Sequence, residues 1–109
     1  MTMPEPSCFA VQVSPGPLAV IEASGELDLA GAPVLESAVR DLERSAVHAA
    51  VLDLRQLVFI DAAGLEAVLG LYAACLKGAI ALTIIPGPRS VQRLFELTRV
   101  ERLLPFSHL

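Results

Sequence analysis

Between Ala67 and Pro88 the chain carries a single charge, Lys77, and this 22-residue stretch constrains the fold more than any other. A hydropathy window would pass it as a membrane span. It divides, however, at Lys77-Gly78 into Ala67 to Leu76 and Ala79 to Ile85. Each piece is far short of the ~20 residues that a spanning helix needs. A lysine at the centre of a lipid span would also cost ~3 kcal/mol. Helix, turn and buried strand fit better: a cation and a glycine close the helix, and Pro86-Gly87-Pro88 closes the strand. No direct membrane insertion is expected. Met1 to Ser7 holds no basic side chain and two prolines, unlike a secretory signal, so a cytoplasmic protein is expected.

The remaining elements follow from periodicity. Phe9 to Val13 and Leu18 to Ala23 are apolar runs around Ser14-Pro15-Gly16-Pro17, the pattern of two strands and a tight loop. Ser24 to Asp28 then reads as a loop. Pro33 suits the first turn of a helix, in which Leu35, Ala38, Val39 and Leu42 form one apolar stripe. Ala49 to Leu54 is apolar on both parities except at Asp53, as in a buried strand, and Val58-Phe59-Ile60 prolongs it. Asp61 is placed to cap a second helix with Leu65, Val68, Leu69, Tyr72 and Leu76 on its buried side. Ser90 is placed to cap a third, with a stripe of Val91, Leu94, Phe95 and Thr98. Strands alternating with helices after the opening pair imply right-handed crossovers and a mostly parallel sheet. With 54% apolar residues and 109 in all, one compact domain is expected.

Several functions are disfavoured. A net charge of -4 with one lysine does not suit nucleic acid, which requires clustered positive charge. No Gly-x-Ser-x-Gly elbow or Walker-type loop occurs, and His48 and His108 have no nucleophile patterned around them. No catalytic residue, cofactor or metal site is expected. Asp53 sits where a receiver-type phosphoacceptor would, but the acidic pair and the lysine such chemistry requires are missing. It reads instead as a polar strand end that accepts nearby backbone N–H groups. Cys8 and Cys75 read as isolated reduced thiols, with a redox switch between them the less favoured alternative.

The informative segments are Gly25-Glu26-Leu27-Asp28, Val51-Leu52-Asp53-Leu54 with Val58-Phe59-Ile60-Asp61, then Gly64-Leu65, and Arg93-Leu94-Phe95-Glu96-Leu97-Thr98. In this order they resemble the STAS domain family, typified by bacterial anti-sigma factor antagonists. The resemblance covers nearly the whole chain. It implies an α/β fold, a single domain over 7–109 after a short N-terminal extension at 1–6. The sheet would be mixed and mostly parallel, with helices packed mainly on one face.

In that family the second helix opens with Asp, two hydroxyl residues and Gly, and an anti-sigma factor that is itself a serine kinase phosphorylates the second hydroxyl. Here Ala62 and Ala63 occupy both positions, so the phosphoacceptor equivalent, Ala63, is lost. Ser45 and Ser90 lie outside the matching loop. The resemblance therefore implies a non-catalytic module that binds its partner constitutively or under different regulation. The expected partner-binding residues are Asp28, Asp61, Ala62, Ala63, Gly64 and Glu66. By themselves, Asp61 and Gly64 also read as an ordinary cap and a packing glycine. Two other roles stay open: an accessory STAS subunit of a transport or lipid-trafficking complex, and a small-ligand sensor.

Overall fold

A computed structural model describes residues 9–14 and 16–107; the N-terminal extension and Cys8 lie outside them. Strands β1 (Ala10–Ser14), β2 (Leu18–Leu27), β3 (Ala49–Ile60) and β4 (Ala81–Ile85) form one sheet in the order β1-β2-β3-β4. β1 is antiparallel to β2, whereas β2–β3 and β3–β4 are parallel. The crossovers are α1 (Ala32–Glu43) and α2 (Ala62–Lys77); α3 (Arg89–Leu97) and a 3-10 turn (Val100–Arg102) follow β4. The mixed, mostly parallel sheet expected from the alternation is present.

Burial shows which face the helices cover. Ala19, Ile21, Ala23 and Leu27 of β2 are buried, while Leu18 before them and Glu22 among them are exposed. Leu52 and Ile84 lie in register with Ile21 on the covered side. There they join Leu35, Val68, Leu71, Val91 and Phe95 in one core. The final segment lies beside β4, with Ile84 N–H donating to Pro105 O and Ser107 N–H to Ile84 O. Phe106 thereby meets Phe95 edge-to-face at 5.1 Å.

Several local expectations are corrected. Ser24 to Leu27 is the end of β2, not a loop. Gly25 (φ 85°) sits there beside the second of two irregularities in the β2–β3 register. At each, β3 spends one residue more than β2, so the buried positions step from Leu54 to Leu57 to Ile60. Val58 and Phe59, apolar and adjacent to Ile60, are therefore exposed. On α2, Leu71 and Cys75 are fully buried, whereas Leu76 is 64% exposed. That helix is apolar nearly all round, so its own pattern cannot select a face; packing against α1 does. Ser90 lies inside α3, whose N-cap is Pro88, and the Gln92 amide oxygen instead accepts the Gly87 N–H at 2.9 Å.

The end of α2 also shifts by one residue. Gly78 has an ordinary φ of -87°, and Ala79 takes the left-handed conformation at φ 55°. Ile80 N–H donates to Cys75 O and Ala79 N–H to Leu76 O, a Schellman pattern in which alanine occupies the position that favours glycine. Asp53 lies within β3 and not at its end. Its carboxylate accepts the Arg55 backbone N–H at 3.0 Å and pairs with the Arg55 guanidinium at 2.8 Å. Those bonds hold its carboxyl below the usual carboxylate range.

Candidate functional site

β2 and β3 end side by side, with Leu27 opposite Ile60. The chain leaves each strand through Asp-x-x-Gly: Asp28 to Gly31 and Asp61 to Gly64. The two turns are built alike. An Asp28 carboxylate oxygen accepts the Gly31 N–H at 2.9 Å, and one from Asp61 accepts the Gly64 N–H at 3.0 Å. Asp61 is the N-cap of α2, as its position in the sequence led one to expect. Asp28 holds the turn one step before α1, where Ala32 N–H also donates to its backbone oxygen at 2.8 Å.

Both glycines are seated on the end of β2. A Cβ on Gly31 would lie 2.9 Å from the Glu26 oxygen and 2.7 Å from Phe9 Cβ. A Cβ on Gly64 would fall on the Leu27 carbonyl oxygen, far inside van der Waals contact, and 2.9 Å from Ile60 Cγ1. The Asp61 N–H donates to the same Leu27 oxygen at 3.3 Å. Hydrogen bonds and missing side chains thus fix where α1 and α2 begin.

The expected site residues separate by exposure. Ala62 and Glu66 are exposed; Asp28, Asp61 and Ala63 are half-buried; Gly64 is buried against Leu27. Gly64 therefore seats the helix and presents no surface. Ala62 and Ala63 form the opening of α2, beside N–H groups that carry the helix's partial positive charge. No hydroxyl lies between Asp61 and Gly64. Sequence reasoning missed the exposed apolar groups of this end of the molecule: Leu29 (76% exposed), Val58 (60%) and Phe59 (47%). The period-3 spacing of Leu54, Leu57 and Ile60 was the available signal.

Elsewhere the chemistry is sparse. Burial raises the Cys75 thiol pKa, with Glu43 adding to the effect, so little reactive thiolate forms. Among the described residues no three His, Cys, Asp or Glu side chains converge on a point. No helix among the described residues is long and apolar enough to cross a membrane.

These features define a one-sheet α/β domain whose most firmly built element is a pair of helix starts at the carboxyl ends of adjacent parallel strands. The chain belongs to the STAS domain family, whose model matches residues 9–108. Among solved structures it is similar to an anti-sigma factor antagonist from Mycobacterium paratuberculosis. The TM-score is 0.84 at 23% identity, over 98% of this chain and 92% of that one. It is also similar to the anti-sigma factor antagonist SpoIIAA in its unphosphorylated form (TM-score 0.73, 19% identity, 92% and 88% of the chains). The phosphorylated form of SpoIIAA from Bacillus gives 0.68 at 18% identity, over 92% and 91%. At these identities the likeness shows the fold. No match to a functionally curated protein was found.

Proposed function

We propose that this domain is an anti-sigma factor antagonist, a non-catalytic cytoplasmic regulator of transcription. It binds an anti-sigma factor of the serine-kinase type through the first turn of α2 and the turn at Asp28. The observation that carries this reading is the paired clamp of Asp28–Gly31 and Asp61–Gly64, in which each aspartate carboxylate accepts the N–H of the glycine three residues on and ties its turn to the start of a helix. A preformed surface binds without the entropic cost of ordering it. SpoIIAA exists with and without phosphate; here Ala62 and Ala63 leave no acceptor in the loop, so binding is constitutive or under a different regulation.

Ala63→Asp tests the reading. A carboxylate in the first turn complements the helix N-terminus by ~0.3–1 kcal/mol, so the fold should tolerate it. A partner matched to a methyl group would have to bury an unpaired charge, at a cost of several kcal/mol and roughly 100-fold or more in affinity. The expected result is an unchanged melting temperature with binding lost, measured calorimetrically against the partner co-purified from the native host. Equal affinity of both variants would remove this helix end from the interface. Recovery of a transporter ATPase or a bound small molecule, with no anti-sigma factor, would replace the assignment by one of the two other roles.

A further inference from the structure

β3 is longer than the strand beside it. Its pairing with β4 ends at Asp53–Ile85, yet β3 continues to Ile60, paired only with β2. The chain turns away from β3 at Leu54, against whose carbonyl Gly87 is packed. Among the described residues, no backbone hydrogen bond joins Gln56–Ile60 to anything other than β2. The N–H and C=O groups of this overhang that face away from β2 are therefore unpaired. Such a row of groups is the template to which another extended chain adds. The overhang holds no proline and no lysine; one of the two bulges falls at Val58, between the paired residues Gln56–Leu57 and Phe59–Ile60, and Val58 and Phe59 are exposed.

Charge indicates what would lie there. α3 packs along β3 and carries Arg89 and Arg93, both exposed. Among the described residues the only ion pair is Arg55–Asp53, so Arg89 and Arg93 have no carboxylate partner. Asp61, at the far end of the overhang, is committed to the Gly64 N–H. We propose that the free edge of β3 from Gln56 to Ile60 binds an extended acidic segment of a partner protein by strand addition. The peptide backbone would pair with β3, its apolar side chains would meet Val58 and Phe59, and its carboxylates would meet Arg89 and Arg93. This site stands apart from the anti-sigma assignment, because it can be read with no anti-sigma factor present.

The probe is a synthetic hexapeptide of alternating valine and glutamate, titrated into the isotope-labelled full chain up to about 1 mM, a weak-binding regime. The expected result is saturable shifts of the Gln56 to Ile60 amide signals. Exchange of those amides that face away from β2 should slow at least tenfold. A peptide N-methylated at alternate amides should bind at least tenfold more weakly, since it cannot complete the ladder. The doubly substituted Arg89→Glu, Arg93→Glu protein should lose binding by a similar factor. It should keep its melting temperature, because both residues are exposed. The proposal is overturned if no shift appears, if the shifts lie elsewhere, or if the N-methylated peptide binds equally well. Equal binding by the charge-reversed protein overturns it as well.

Discussion

Gly64→Ala and Gly70→Ala are the same substitution in the same helix, and the structure gives them opposite signs. At Gly70 an added Cβ meets nothing within 4 Å. The change should therefore stabilise by the helix-propensity difference, about 1 kcal/mol. At Gly64 the Cβ would coincide with the Leu27 carbonyl, so the start of α2 must lift off the end of β2. Lifting it breaks the Asp61 cap on the Gly64 N–H, worth about 1 kcal/mol. It also breaks the bond from Asp61 N–H to Leu27 O, about 1 kcal/mol more. Crowding of Ile60 adds a further ~1–3 kcal/mol, and the propensity gain offsets about 1 kcal/mol of the total. The net loss is about 3 kcal/mol, a large part of the ~5–15 kcal/mol that holds a small domain together. At ~4–8 °C per kcal/mol for a domain near this size, the melting temperature should fall by roughly 12–24 °C. Thermal and urea unfolding followed by circular dichroism would measure both variants. If Gly64→Ala costs less than about 1 kcal/mol, or moves in the same direction as Gly70→Ala, the seating of α2 on the Leu27 carbonyl does not determine stability.

Two further predictions concern the rest of the scaffold. Ala79→Gly should stabilise by about 0.5–1 kcal/mol, because the left-handed conformation at φ 55° strains any residue with a Cβ; a melting temperature at or below that of the parent would contradict it. The Asp53 carboxyl has a lower pKa folded than its unfolded value of 3.8, so its stabilisation is complete above that value and is lost as pH falls through the folded pKa. Asp53→Asn should therefore cost about 1 kcal/mol at neutral pH, the exposed arginine limiting the effect. Below the folded pKa the two proteins should converge, and parallel urea midpoints down to pH 2 would show that the Arg55 pair contributes nothing.

The sequence alone determined the order of elements, the mostly parallel sheet and the cap at Asp61. Each rests on signals confined to a few neighbouring residues: Pro33 at a helix start, an aliphatic run between turn clusters, an aspartate three residues before a glycine. Only the tertiary structure decided which face of α2 is buried, because Leu65 to Leu76 is apolar in nearly every direction and α1 chooses among equivalent stripes. Only pairing with β2 showed that β3 carries extra residues, which turns Val58 and Phe59 outward. Gly31 and Gly64 look like isolated glycines in the chain. They acquire a common role when β2 and β3 end side by side and present the Glu26 and Leu27 carbonyls to them. Close approach between segments remote in sequence is a property of the assembled sheet, and no local propensity encodes it.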